Sequence, residues 1–154
     1  MDASDLRGRT ILVTGANAGI GYWCVEQLAS RGARVLLGCR SAERAATAVD
    51  AVRTRVPDAD LRVLPLDLGS LESVAHAASG MGETLDAVIC NAGVKAATPD
   101  ARTADGLDLM VGTNFLGHFA LIAQLGRALA PDARVVAVGS LAHRFAQLDP
   151  ARIT

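Results

Sequence analysis

The chain has 154 residues, of which 51% are hydrophobic and 20% are charged, and its formal net charge is −1 at pH 7. This apolar content is enough for a core in one domain over residues 1–154 and excludes a disordered chain, while the scattered positive charges exclude a general nucleic-acid-binding surface. Because the first nine residues lack an apolar segment and no later run reaches the length of a membrane span, we predict a soluble cytoplasmic protein with no nucleic-acid or membrane partner.

Apolar runs of strand length alternate with amphipathic stretches of helical periodicity along the chain. The predicted strands cover residues 10–14, 34–39, 61–66, 85–90 and 134–139. The predicted helices cover residues 20–30, 42–56, 70–79, 103–111 and 114–129. This alternation predicts an α/β fold, namely a doubly wound (Rossmann) parallel sheet of strand order 3-2-1-4-5 between two layers of helices, ending after the fifth strand.

A glycine-rich segment joins the first predicted strand to the first predicted helix. Residues 14–21 read Thr-Gly-Ala-Asn-Ala-Gly-Ile-Gly. Gly15 can take the tight turn, Gly19 lets the backbone approach phosphate oxygens, and Gly21 allows close packing of the helix on the sheet. Since a helix N-terminus offers unpaired N–H groups to an anion, the segment predicts a dinucleotide diphosphate site, with a tight turn alone as the alternative. The lack of Gly-Lys-Ser/Thr excludes a P-loop NTPase.

Arg40 ends the second predicted strand, where NAD-dependent dehydrogenases usually have an acid that binds the ribose 2′-hydroxyl. A guanidinium group there would instead donate charge-assisted hydrogen bonds to a 2′-phosphate. Arg40 therefore predicts NADP(H) as the cofactor, unless it is only a solvated surface residue. It also argues against an S-adenosylmethionine methyltransferase, a class with a similar strand–glycine–helix opening that typically has an acidic ribose partner at this position.

The segment 14–21 resembles the cofactor motif of the short-chain dehydrogenase/reductase family and is most similar to its retinol-dehydrogenase-like branch. The resemblance implies an NADP(H)-dependent oxidoreductase that transfers a hydride between the nicotinamide and a small-molecule carbonyl or alcohol. We also expect no metal site, because the histidines offer no metal-ligand cluster and the three cysteines include no close pair. Within the segment the resemblance implies cofactor contacts from Gly15, Asn17, Ala18, Gly19, Ile20 and Gly21.

Two further strand ends resemble cofactor-contact segments of the family. Asp67 and Leu68 follow the third strand, where the family contacts the adenine ring; Asp67 could instead end the strand and help to cap the next helix. The turn Asn91-Ala92-Gly93 is similar to the family's Asn-Asn-Ala-Gly turn and implies contact with the adenosine ribose, although Cys90 replaces the first Asn. A tight turn without a ligand is the alternative for Asn91, Ala92 and Gly93.

Two polar residues are similar to the family's catalytic positions. Asn114 matches the Asn that holds a water of the proton relay, although it could simply cap the long helix, and Thr113 beside it is assigned to the cofactor. Ser140, after the fifth strand, matches the Ser that donates a hydrogen bond to the substrate carbonyl; a serine that only ends the strand is the alternative. We interpret His118 as a packing residue, because the resemblance gives it no chemical role.

The family's acid/base pair, a Tyr followed four residues later by a Lys, has no counterpart in the chain. The only Tyr is Tyr22 and the only Lys is Lys95, and neither has this spacing. We therefore interpret the chain as an incomplete copy of such an enzyme with negligible turnover, or alternatively as a non-catalytic NADP(H)-binding or interaction module. Without a sixth strand, residues 135–138 would form an exposed apolar edge, so we expect a homo-oligomer or aggregation through the fifth strand.

Overall fold

The computed structural model describes residues 5–140, which form a five-stranded parallel sheet with helices on both faces. The strand order β3-β2-β1-β4-β5 confirms the predicted doubly wound fold. The strands are β1 (Thr10–Thr14), β2 (Arg34–Cys39), β3 (Leu61–Pro65), β4 (Leu85–Cys90) and β5 (Leu129–Ala137). The helices are α1 (Gly19–Ala29), α2 (Ala42–Arg55), α3 (Leu71–Ser79), α4 (Leu109–Val111), a π-helical segment (Gly112–Leu116) and α5 (Gly117–Leu125).

The core has two halves, one on each face of the sheet. Alternate strand residues point to opposite faces, so that Ile11 and Val13 of β1 pack in the cluster that includes α1 and α2, whereas Leu12 packs in the cluster that includes α3 and α5. The side chains of Leu12 and Val13 are fully buried. This packing gives the predicted three layers.

None of the helices between residues 5 and 140 has both the length and the apolar character needed to cross a membrane.

The start of the fourth helix differs from the prediction. The helix predicted over residues 103–111 begins only at Leu109. Gly106 has φ of +77°, which belongs to a turn rather than to a helix. The carboxylate of Asp108 accepts hydrogen bonds at 3.0 and 2.9 Å from the amides two and three residues further on, and so fixes the first helical turn. The prediction was wrong because apolar periodicity continued through this turn and cap.

The two helices predicted over residues 103–129 are one continuous helical stretch without a break at residue 112. α4 passes through the π-helical segment into α5, which ends at Leu125 rather than at residue 129. Asn114 lies inside the π-helical segment, so the alternative that it caps a helix is wrong. The apolar pattern gave no sign of this wider turn, because a single π turn leaves the composition of a helix unchanged.

β5 starts at Leu129, five residues earlier than predicted, and ends at Ala137. Its pairing with β4 shifts in register between Leu85 and Ala87. Pro131 lies in the irregular stretch and cannot donate a hydrogen bond to a neighbouring strand, which is why the sequence does not indicate a strand there. The other element bounds agree with the prediction to within one residue.

Candidate functional site

A cavity of about 440 Å³ lies at the carboxyl ends of the parallel strands, where doubly wound folds bind their ligands. It is bounded by the β1–α1 loop, the end of β2, the segment after β3 and the turn after β4. All the predicted cofactor-binding residues except Gly21 line this cavity. The lining residues among them are Gly15, Asn17, Ala18, Gly19, Ile20, Arg40, Asp67, Leu68, Asn91, Ala92, Gly93 and Thr113.

The three glycines of the β1–α1 loop meet different requirements. Gly15 has φ of +63°, and a Cβ on it would lie 2.8 Å from the Cα of Ala92. A Cβ on Gly21 would overlap the carbonyl oxygen of Gly15 and lie 2.5 Å from Nδ2 of Asn91. Gly19 has φ of +54°, but a Cβ there would meet no atom within 4 Å. Packing therefore requires Gly15 and Gly21, whereas Gly19 keeps open a space that a side chain would narrow.

The N-terminus of α1 faces this loop. Ala18 precedes the helix and supplies no side-chain cap, and the first backbone bond back to it comes from the amide of Tyr22, at 3.2 Å. The amides of the first helical turn thus have no partner within the helix, and the helix dipole places partial positive charge there. An uncapped helix start beside a glycine cradle fits a diphosphate group.

Arg40 and Arg44 line the same cavity beside the end of β2. The hydroxyl of Ser41 accepts a hydrogen bond from the amide of Arg44 at 3.2 Å, which puts Arg44 in the first turn of α2. Within residues 5–140, neither guanidinium group forms a hydrogen bond or an ion pair with the protein. Two cations without a protein partner in this range, beside the glycine loop, are suited to bind an anion. By contrast, the arginines paired with carboxylates are Arg7, Arg9, Arg34, Arg55 and Arg62.

The segment after β3 is organised by Asp67. Its Oδ1 accepts a hydrogen bond from the amide of Gly69 at 2.9 Å, and its own amide donates to the hydroxyl of Ser73 at 2.9 Å. Ser70 caps α3 with its own hydroxyl, so Asp67 shapes the turn rather than capping that helix. Asp67 and Leu68 thereby form a fixed wall of the cavity.

The turn after β4 is tied to the glycine loop by hydrogen bonds. Nδ2 of Asn91 donates to the carbonyl oxygens of Thr14 and Gly15 at 2.9 and 3.3 Å. In return, the buried hydroxyl of Thr14 accepts hydrogen bonds from the amides of Asn91 and Ala92 at 3.0 and 2.9 Å. Cys90, which replaces the first Asn of the family's turn, is buried, and this burial raises the pKa of its thiol.

The two predicted catalytic residues meet on a second cavity of about 640 Å³, which shares the turn of residues 91–93 with the first. Asn114 and Ser140 both line it, together with Phe115 and Phe119. The side chain of Asn114 holds the backbone of Val94: its Oδ1 accepts from the amide at 2.7 Å and its Nδ2 donates to the carbonyl at 3.0 Å. The first cavity thus adjoins a second, mostly apolar cavity that is also lined by Asn114 and Ser140.

The model of the family described as short chain dehydrogenase matches residues 9–148. The chain belongs to this family. One similar curated protein is the short-chain dehydrogenase/reductase drtF of Aspergillus calidoustus, which is 39% identical over 92% of this chain and 49% of the relative. Another is human retinol dehydrogenase 11, which is 38% identical over 93% of this chain and 46% of the relative. The chain spans about half the length of these curated relatives.

Solved structures similar to this short-chain dehydrogenase chain agree with the assignment. One is a crystal structure of an uncharacterized protein from Mycobacterium paratuberculosis, with a TM-score of 0.79 and 40% identity over 90% of this chain and 48% of that chain. Another is the Pseudomonas aeruginosa RhlG/NADP active-site complex, with a TM-score of 0.74 and 31% identity over 90% of this chain and 57% of that chain.

No role at the two cavities was predicted from the sequence for Arg44, which lines the first, or for His118, which lines the second. Arg44 could have been found as the residue one helical turn after Arg40, at the start of a helix with a serine cap. His118 is buried, as a packing residue would be, but its ring also contacts the hydroxyl of Thr14 and the carbonyl of Asn114 at 2.8 and 3.0 Å. Its contact with Thr14 spans 104 residues of sequence, so no local pattern indicates it.

Proposed function

We propose that the chain is the NADP(H)-binding part of a short-chain dehydrogenase that interconverts small-molecule carbonyls and alcohols. The observation that carries this proposal is the pair of unpaired guanidinium groups, Arg40 and Arg44, beside the glycine cradle at the end of β2. An acid at that point would repel a 2′-phosphate, whereas two cations attract it. A nicotinamide cofactor bound here would exchange a hydride with the carbonyl or alcohol carbon.

Each wall of the crevice has a separate task in this proposal. The first-turn amides of α1 bind the diphosphate, and Arg40 with Arg44 binds the 2′-phosphate. The segment containing Asp67 and Leu68 borders the adenine, and the turn of residues 91–93 supports the adenosine ribose. In this proposal the nicotinamide end of the cofactor would reach the second cavity, which shares the turn of residues 91–93 with the first.

Ser140 and Asn114 are the residues that we propose for the chemical end of the site. The hydroxyl of Ser140 would donate a hydrogen bond to the substrate oxygen and stabilise negative charge that develops there. Asn114 remains a candidate for holding a water of the proton relay. Both of its amide atoms already bind Val94, so we expect its larger effect to be on the position of the chain after the Asn-Ala-Gly turn.

The proposed function is tested by calorimetric titration of the folded chain with NADPH, NADH and S-adenosylmethionine. One hydrogen bond to a charged group contributes about 1.5–3 kcal/mol, so we expect NADPH to bind roughly ten to a hundred times more tightly than NADH. S-adenosylmethionine should not compete with NADPH. Equal affinity for the two nicotinamide cofactors would contradict the NADP(H) assignment, and no heat with either would overturn the proposal.

We expect a polypeptide of these 154 residues alone to turn over negligibly. It contains no Tyr-x-x-x-Lys, and loss of a general acid typically lowers a rate by about 10² to 10⁴. The measurement is NADPH oxidation with small ketones and retinal-like aldehydes, with Ser140→Ala as the matched control. A reproducible rate above that control would contradict this expectation and would place the acid elsewhere in the chain.

We also propose that this polypeptide associates with itself through β5. β5 is an edge of the described sheet, and Val135 and Val136 are 48% and 47% exposed. Apolar edge strands pair with other strands unless something covers or charges them. Sedimentation of the wild type should detect dimers or larger species, and Val135→Lys should shift the distribution to monomer. A monomeric wild type at micromolar concentration would exclude this association.

The cytoplasmic location of the protein stays a prediction.

A further inference from the structure

We propose that His118 is a positioning residue which, as a neutral imidazole with its proton on Nδ1, holds the Asn-Ala-Gly turn against the glycine loop in the arrangement that the cofactor requires. The inference rests on the proposed function, because cofactor binding is what this arrangement serves. His118 lies in α5, next to neither loop in sequence. It reaches them through hydrogen bonds that the family resemblance did not suggest.

The partners of the ring determine where its proton lies. A carbonyl oxygen only accepts, so the 3.0 Å contact with the carbonyl of Asn114 requires a proton on Nδ1. The hydroxyl of Thr14 already accepts two hydrogen bonds, from the amides of Asn91 and Ala92, and these occupy both of its lone pairs. Its own proton is therefore left to donate, and Nε2 of His118 at 2.8 Å is a much nearer acceptor than the carbonyl of Ile89 at 3.4 Å.

This arrangement holds the Asn-Ala-Gly turn from two sides. On one side the Thr14 hydroxyl, oriented by His118, accepts the amides of Asn91 and Ala92. On the other side Asn114, whose carbonyl accepts from the same imidazole, holds the backbone of Val94 with both atoms of its amide. One histidine thus connects the end of β1, which lines the first cavity, with the turn after β4 and the π-helical segment, which line both.

The surroundings of the ring favour the neutral form. Apart from His118 itself, the titratable side chain that lines the second cavity within residues 5–140 is Cys90; no carboxylate, lysine or arginine of that range lines it. Burial raises the pKa of the Cys90 thiol, so Cys90 stays uncharged at neutral and acidic pH. Burial also lowers the pKa of His118. A protonated ring would direct a third donor at the Thr14 hydroxyl, which has no lone pair left for it.

The first experiment needs no variant. Nitrogen NMR of the ring, in the chain labelled at histidine, should give for His118 the signature of a protonated Nδ1 and an unprotonated Nε2 at pH 7. His76, which is exposed on α3, provides the reference histidine in the same sample. A spectrum in which Nε2 of His118 carries the proton at pH 7 would overturn the assignment.

The second experiment compares variants by NADPH titration. His118→Leu removes the acceptor and leaves the Thr14 hydroxyl without its partner, so we expect NADPH to bind roughly tenfold more weakly. His118→Gln keeps an acceptor at the Nε2 position and should stay within about threefold of the wild type. Thr14→Val also removes the acceptor of the Asn91 and Ala92 amides, so it should weaken binding at least as much as His118→Leu, and the double variant His118→Leu/Thr14→Val should be no weaker than Thr14→Val alone. The matched control, His76→Leu, should bind like the wild type.

The third measurement is the pH dependence of stability. Because burial lowers the pKa of folded His118 below the ordinary value of 6.5, the unfolded chain binds more protons between these two values. The contribution of neutral His118 to the free energy of unfolding should therefore be complete above pH 6.5. It should decline as the pH falls from 6.5 towards the lowered pKa. His118→Gln should lack this decline, as measured by urea midpoints between neutral pH and about pH 5.

The outcomes separate this inference from the proposed function. If the wild type binds NADPH and His118→Leu binds it equally well while remaining folded, the positioning role is wrong and the cofactor assignment stands. If His118→Leu does not fold, the positioning role is wrong if folded Thr14→Val binds NADPH as tightly as the wild type, or if folded His118→Gln binds it tenfold or more weakly. A folded wild type with no affinity for NADPH would overturn the proposed function, and the positioning role with it.

Discussion

Replacing Gly21 with alanine should abolish NADP(H) binding and lower the free energy of unfolding by about 3 kcal/mol, the upper range for inserting atoms into packed structure. The added Cβ would overlap the carbonyl oxygen of Gly15 and approach Nδ2 of Asn91 to 2.5 Å. Both neighbours belong to the loop and turn that form the cradle, so α1 would have to move away from the sheet. Urea denaturation and calorimetric titration measure the two effects.

Two other glycines serve as controls for this prediction. Gly82 is exposed between α3 and β4, and a Cβ there would meet no atom within 4 Å, so Gly82→Ala should leave stability within about 1 kcal/mol of the wild type and binding unchanged. Gly19→Ala meets no protein atom either, but Gly19 lines the crevice where we propose that the diphosphate binds, so the substitution should weaken NADPH binding; its positive φ adds a strain of about 1 kcal/mol to the folded chain. If Gly21→Ala behaved like Gly82→Ala, close packing at the start of α1 would not be needed.

Replacing Arg40 with aspartate should reverse the cofactor preference. The substitution removes a cation that would bind the 2′-phosphate and introduces an acid that repels the phosphate and can accept a hydrogen bond from the 2′-hydroxyl of NADH. We expect NADPH affinity to fall by roughly a hundredfold and NADH to become the tighter ligand. Arg44→Ala should reduce the NADPH preference by about tenfold without reversing it, because the charge at Arg40 remains. Titration of each variant with both cofactors provides the measurement.

The matched control for Arg40 is Arg53→Asp. Arg53 is exposed in the last turn of α2, does not line the cavity and undergoes the same change of charge. It should leave the ratio of the two affinities as in the wild type. A similar loss of NADPH affinity in Arg53→Asp would mean that net charge, rather than a 2′-phosphate contact, sets the preference.

The order of the sheet was predictable because each strand and helix of the first half carries its own local signal. Glycine-bounded apolar runs mark β1 and β2, and Ser41 and Ser70 mark the starts of α2 and α3. Short right-handed crossovers then leave little choice of topology. The same reasoning predicted that most of the candidate cofactor-binding residues would line one cavity, since they follow parallel strands whose carboxyl ends meet at one edge.

The remaining features depend on contacts that are distant in sequence. His118 has the apolar neighbours of a core residue, and only the fold brings it to Thr14. Asn114 is a residue type common at helix N-caps, but the residue that caps this helix is Asp108, six positions earlier. The π turn that contains Asn114 has no sequence signature. Arg44 is one of several exposed arginines of α2; its place at the serine-capped start of the helix was the only sequence signal, and the fold puts it beside the crevice.

The π-helical segment determines the direction in which the side chains of α5 point around the helix axis. Successive residues of a regular α-helix advance by about 100° around the axis, and a π turn accommodates one residue more. A version of this helix wound regularly from Leu109 would carry a different side chain towards the hydroxyl of Thr14, and His118 would point about a quarter-turn or more away. The extra residue of the π turn is therefore what allows the two ring nitrogens of His118 to contact the carbonyl of Asn114 and the hydroxyl of Thr14 at the same time.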